Sequence, residues 1–506
     1  MGVIQRQGIK HSIVNFVGMA VGMASTLLVY SRQEVVEAYG LVQYLLSIGM
    51  IGFPLFSIAS SAVSLRFFPH FEDKPSGHHG FLTIVTLMPL LGWCVCAGIA
   101  ALFWGTLRDA VAPDPGLLRE YLWAAFPLTL LYTLGIVLSQ YASNLQRIVV
   151  PSILFDFSLK IVLPALMIVL WMGWLPLAVV LPLLILHFVL VVASLLVYLN
   201  QLGERFTWPD WQHITPQLRH DIGKYAGFGV LSGVALLLTT KADTFLVGTL
   251  TDMKRTGIYA IALNIAVAMD VPVRGLLSVS IPIMSKYLAD ENWTALRLLY
   301  QKVSINLLTA GLLLFGCIAV SASDLYRLMP NNVEVSQGQY VLLILCAAKI
   351  VEMSVSLTGP LVYFSRYYRY SLVSLCILAV ANVCFNIWLI PIFGLPGAAI
   401  ATFLSITCYN LFGAVLVRAK FDMQPFSRST ALVFVLAIGA AATVWFLPST
   451  QYPLANIVLR AGIFALLFGV LVVRLRVSED INAIWSAALM RMRSLHQEGW
   501  RGGRNR

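Results

Sequence analysis

The sequence predicts an all-α integral membrane protein of about fourteen transmembrane helices: two six-helix lobes related by a pseudo-two-fold axis along the membrane normal, plus two C-terminal helices. Three observations carry this. Hydrophobic residues make up 59% of the chain and charged residues only 11%, far from the balance of a water-soluble domain. Apolar runs long enough to cross a hydrocarbon core of about 30 Å recur about fourteen times. The chain also repeats itself at an offset of about 220: Tyr39, Arg66 and Phe68 map onto Tyr259, Lys286 and Leu288, Pro54 falls within two positions of Pro272, and Glu72-Asp73 falls close to Asp290-Glu291. Six spans per copy give both copies one orientation, which is a parallel repeat.

The first apolar run, 12–30, continues to Tyr30 and is followed by Ser-Arg-Gln-Glu rather than a small-residue cleavage site, so it is read as span 1. Runs at 41–64, 81–107, 121–142, 150–172 and 174–199 complete an N-lobe over 1–202. Gly203 to Lys224 interleaves Trp208 and Trp211 with charges, as expected of an interfacial connector over 203–224 that hinges the lobes. Runs at 225–250, 257–283, 303–322, 338–360, 371–391 and 395–417 form a C-lobe over 225–420, and spans 13 and 14, at 430–447 and 454–473, lie within 421–476. The basic tail, 477–506, places Ile481, Ile484, Trp485, Ala488, Leu489, Met492 and Leu495 on one helical face, the pattern of a helix lying on a membrane surface. Prolines such as Pro54, Pro272, Pro360 and Pro391 mark expected bends. The seven cysteines sit in apolar runs and read as small core residues, and neither a metal site nor a cofactor is expected. His78-His79 has the look of a metal pair, but adjacent histidines in a loop are usually uninvolved.

Of the 34 lysines and arginines, 23 fall in the N-terminus, the loops after even-numbered spans and the tail, and seven in or beside the opposite loops. Both termini are therefore expected in the cytoplasm. The net charge of +11 then describes a membrane surface and calls for no nucleic-acid partner.

Four lysines and arginines lie deep in spans, matched by four acids: Asp156 and Lys160, Lys241 and Asp243, Asp270 and Arg274, Lys349 and Glu352. A charge at the bilayer centre costs roughly 2.5 to 3.5 kcal/mol on the insertion scale. Three of the pairs are spaced i, i+4 or i, i+3 and can share a helix face, so self-neutralisation competes with a functional role. Lys241 and Asp243, in TTKADTFLVG, are spaced i, i+2 and point about 200° apart on a regular helix. Either the helix unwinds there, or the two meet different surroundings; Ser232, Thr239 and Thr240 on the face of Asp243 favour polar surroundings for the acid.

The stretch KADTFLVGTLTDMKRTGIYAIALNIA, followed by a proline-bearing span ending IPIMSKY, resembles the seventh and eighth spans of oligosaccharide flippases of the multidrug/oligosaccharidyl-lipid/polysaccharide exporter superfamily. NIWLIPIFGLPGAAIATFLS resembles that family's junction between spans 11 and 12, and QGIKHSIVNFVG its N-terminus. The resemblance implies two six-span lobes around a cavity. It also implies a transporter, not an enzyme, that flips a lipid-pyrophosphate-linked oligosaccharide to the outer leaflet of a bacterial inner membrane for polysaccharide biosynthesis, by alternating access. A monomer is expected, with membrane lipids as its other partner. Lys241, Arg274, Lys160 and Lys349 are the candidate phosphate contacts, and Asp243, Asp270, Asp156 and Glu352 are candidates for charge pairing or for a coupling H⁺ or Na⁺. Trp123, Tyr132, Tyr141 and Tyr259 are candidates for sugar stacking, although packing roles explain most such aromatics. Relatives that flip the peptidoglycan precursor tend to carry several arginines within their first two spans, whereas Arg32 and Arg66 sit here at span ends, which weakens that assignment. A cation-coupled multidrug antiporter of the same superfamily is the nearer alternative; a multispan polymerase or ligase would need larger outer loops.

Overall fold

The computed structural model describes residues 3–73, 78–112, 115–210, 214–483 and 485–486, without the side chains of 3–9 and 235–240. The described residues form helices and connecting turns, with no strand. Twelve helices are long and apolar enough to cross a membrane, and a bent pair, Gly338–Ser354 and Thr358–Phe364 at 46°, raises the number to thirteen. The expected count of fourteen is therefore not established. Helix Pro216–Leu250 occupies the place of span 7 but is not among the twelve. Of the tail face, Ile484, Ala488, Leu489, Met492 and Leu495 lie outside the described residues.

By contact density the chain divides into two units: 1–265 with 329–341 and 378–402, and 266–328 with 342–377 and 403–506. In the first unit, Gln33–Phe56 of span 2 runs antiparallel to Pro216–Leu250. Tyr44 bonds Thr249 at 2.8 Å and stacks on Phe245, and further along Pro54 meets Gly233. Span 2 breaks just after Pro54: Ile58 and Ala59 are left-handed at φ 49° and 53°, and a second helix, Ser60–Phe71, continues. At the opposite end Gly40 and Gly257 let span 2 cross Met253–Ala266 at backbone distance, since a Cβ on Gly40 would overlap the Met253 carbonyl and one on Gly257 that of Val36. The repeat-matched tyrosines flank this crossing, both fully buried; Tyr39 accepts a hydrogen bond from Asn264 at 2.6 Å.

His78 and His79 hold the connector. His78 Nε2 lies 3.1 Å from Glu204, whose other oxygen accepts from Tyr141 at 2.7 Å, and His79 Nδ1 lies 3.2 Å from Asp210. His78, His79 and Gly80 are all left-handed, and a Cβ on Gly80 would strike the backbone of Trp208 and Pro209. The start of the connector is thus clamped.

In the second unit Asp324 is buried and receives Asn456 at 3.0 Å, Arg460 at 3.3 Å and Arg327 at 3.5 Å, which ties Trp293–Arg327 to Pro453–Arg474, the last span.

Glu204→Ala leaves a buried tyrosine hydroxyl and a buried imidazole without their acceptor, a loss of about 1 to 3 kcal/mol for each stranded group. The expected outcome is a clearly lowered unfolding temperature in detergent, while Arg205→Ala, next in sequence and exposed, stays near wild type.

Candidate functional site

Helix Pro216–Leu250 is continuous through TTKADTFLVG, which removes the unwound alternative. Asp243 is 5% exposed, and no ion pair joins it to Lys241. Its Oδ1 accepts from Asn382 Nδ2 and Asn386 Nδ2, each at 2.8 Å, and its Oδ2 accepts from the Thr402 hydroxyl at 2.6 Å and the Tyr259 hydroxyl at 3.2 Å. These donors come from Met253–Ala266, Arg369–Phe393 and Leu395–Phe421, each at a residue that belongs to the first unit. All four donors are neutral. No cation among the described residues lies within ion-pair distance of the carboxylate, so it is met by neutral donors alone. One acceptor in the cage is idle: Asn386 Oδ1 is buried without a hydrogen-bond partner among the described residues. Carboxylate, amide carbonyl and hydroxyl oxygens of this kind are ligands for a hard cation.

Lys241 is half-buried and, among the described residues, makes no ion pair and no hydrogen bond. The side chains of Thr239 and Thr240, expected on the face of Asp243, lie outside the described residues.

In the second unit, Lys349 is the centre of a triad. Its Nζ lies 2.9 Å from Asp270 and 3.1 Å from Glu352. The expected Asp270/Arg274 pair is not formed, because Asp270 is turned across to Lys349, and Arg274 is exposed with no ion-pair partner among the described residues. The expected Asp156/Lys160 pair does not close to ion-pair distance either. The chain is a π-helix over Ile153–Phe157, which changes the register on which an i, i+4 contact depends. Asp156 is exposed and receives only a 3.5 Å contact from Ser152, while the Lys160 side chain lies along span 1 beside Gly18.

The sequence reading missed Asn382, Asn386 and Thr402. Their signal was available: two asparagines spaced i, i+4 in an apolar run, with a threonine early in the next span. Among the sugar-stacking candidates, Tyr141 bonds Glu204 and Tyr259 bonds Asp243, so both are committed to packing networks, whereas Tyr132 lines a cavity and Trp123 is 45% exposed. No group of three or more His, Cys, Asp or Glu side chains that could hold a metal ion occurs among the described residues.

No known protein-family profile matches the chain, and no curated protein sequence matches it. Solved structures do. The lipid II flippase MurJ in an inward closed conformation matches with a TM-score of 0.72 at 14% identity, covering 93% of this chain and 100% of that one. An inward-facing multidrug resistance MATE transporter of the MOP superfamily matches at 0.61 and 13% identity, over 83% and 98% of the two chains. A MATE protein in complex with MaL6 matches at 0.55 and 14% identity, over 83% and 97%. The chain therefore has the multi-pass fold of the MOP-superfamily transporters.

Lys349→Met strands two carboxylates in the second unit and is expected to lower the unfolding temperature in detergent; Asp270→Asn/Lys349→Met/Glu352→Gln, which removes all three charges, is expected to recover much of the loss. A triple variant as unstable as the single one would show that ion pairing is not the reason.

Proposed function

We propose that the protein flips a lipid-pyrophosphate-linked oligosaccharide across a bacterial inner membrane, with Lys241 and Arg274 as contacts for the phosphates and Asp243 as the seat of a coupling cation. The reading is supported by the sign of the charges that the spans leave open. Asp243 is enclosed by neutral donors, and Asp270 and Glu352 are held by Lys349, whereas Lys241 and Arg274 have no acid partner among the described residues. Open cations in apolar helices suit an anionic cargo. The likeness to MurJ, a lipid II flippase, supports a lipid-linked cargo, and the span-end positions of Arg32 and Arg66 favour a different lipid-linked sugar here.

The coupling ion proposed is Na⁺, because the Asp243 cage offers several oxygens, one of them idle, where a proton needs only one. A switch of access between the two leaflets would couple loading of this cage to release of cargo. Export of a cationic drug driven by the same cage is the second reading. It requires an acid open to the cargo, a position that only Asp156 of the four span acids occupies, and there with Lys160 one turn away.

Lys241→Ala and Arg274→Ala are each expected to cut translocation of a fluorescent lipid-linked oligosaccharide in proteoliposomes at least tenfold without changing expression or monodispersity. Wild-type rates in both would remove the phosphate assignment; export of a cationic dye lost in Asp156→Asn but kept in both basic variants would favour the antiporter. Replacing Na⁺ by K⁺ at constant pH is expected to slow wild-type translocation strongly, and Asp243→Asn to remove that dependence along with most activity.

A further inference from the structure

Where span 2 breaks, the first unit holds a cavity of about 300 Å³ between Gln33–Phe56, Ser60–Phe71, Ala125–Asn144 and Pro216–Leu250. Its walls are mostly apolar, but Ser57 and Ser61 open onto it, and both hydroxyls are buried without a hydrogen-bond partner among the described residues. Ser60, beside them, is fully buried and equally unpartnered. Buried hydroxyls left unpaired cost free energy that a hydrogen-bonding guest recovers. The Tyr132 ring lines the same space. Gly229 and Gly233 make the room: Cβ atoms there would press on Ala59 and Pro54.

One helical turn beyond Ala62 and Gly229, which both line the cavity, the same two helices bring Arg66 and Tyr225 together. The Arg66 guanidinium lies 4.4 Å from the Tyr225 ring centre, and Phe67 braces that ring edge-on at 5.8 Å. Arg66 is exposed, and no carboxylate among the described residues reaches ion-pair distance of it. Stacking fixes the plane of a guanidinium while leaving its N–H fork free, the state that suits bidentate binding of a phosphate. Lys224, adjacent to Tyr225 and exposed, adds a second cation.

We infer that this cavity and its Arg66 rim form a capture site for a phosphate-linked sugar: phosphate on Arg66 and Lys224, and the adjoining sugar against Ser57, Ser61 and Tyr132. The rim lies at the end of span 2 that the charge distribution assigns to the cytoplasm, where cargo is loaded. The inference rests on the flippase reading for its cargo, and it adds a site apart from Lys241 and Arg274.

The test uses the full-length protein in phosphatidylcholine nanodiscs and two soluble probes, farnesyl diphosphate and farnesyl-diphosphoryl-N-acetylglucosamine. Arg66→Gln is expected to weaken both at least tenfold, and Arg66→Lys to restore part of the affinity. Tyr225→Leu, which keeps the charge and removes the stack, is expected to weaken both about threefold, and it serves as the deciding variant if Arg66→Gln does not fold. Ser57→Ala/Ser61→Ala is expected to weaken only the sugar-bearing probe. Wild-type affinity in Arg66→Gln, or equal competition by phosphatidylglycerol, would overturn the site, the latter by showing a general anionic-lipid contact. Because binding is read without transport, a wild-type protein that binds the probes but moves no lipid-linked sugar would count against the flippase reading alone.

Discussion

A carboxylate removed from water inside an apolar helix bundle must be met by donors, and Asp243 is met by Tyr259, Asn382, Asn386 and Thr402. Much of the first unit is arranged around that requirement. The close crossing at Gly40 and Gly257 brings Met253–Ala266 against span 2 and sets Tyr259, two residues on, inside the unit. The i, i+4 spacing of Asn382 and Asn386 stacks both amides on one face of their helix, so that one carboxylate oxygen receives both. Thr402 completes the cage while its hydroxyl also stays close to the Ala398 carbonyl, at 3.0 Å.

The second unit solves a similar problem with opposite chemistry. Asp270 and Glu352 are bridged by the one ammonium of Lys349, and Asp324 is paired with Arg460 and Arg327. Ion pairs of this kind lock helices, and removal of one member strands the others. A neutral cage behaves differently, because no side-chain cation among the described residues sits on its carboxylate oxygens. That contrast separates a structural triad from a candidate ion seat more sharply than burial does, and it leaves Lys241 and Arg274 as open span cations.

Much of the fold was legible. A helix stands at the place of each predicted span, because long apolar runs bounded by charge have few other solutions in a bilayer. The bends were less legible. Pro54 marked the break in span 2, but the left-handed Ile58 and Ala59 that execute it carry no compositional signal. At the site, the i, i+2 spacing of Lys241 and Asp243 leaves two alternatives, and the continuous helix removes the unwound one. Partners across helices were not legible. Asp270 was assigned to Arg274 by sequence spacing and belongs to Lys349, 79 positions away in sequence, and the π-helix at Ile153–Phe157 undid the Asp156/Lys160 register. His78 and His79 read from sequence as an uninvolved loop pair, yet they clamp the connector, because Glu204 and Asp210 become their neighbours only through folding.

On the proposed function, Asp243 is an ionised carboxylate whose cage accepts a cation. Equilibrium binding of radioactive Na⁺ to the purified protein at neutral pH tests this most directly. Saturable binding of about one ion per chain, lost in Asp243→Asn and weakened in Asn386→Ala and Thr402→Val, is the result predicted. Wild-type binding in Asp243→Asn, or no saturable binding in the wild type, would contradict it.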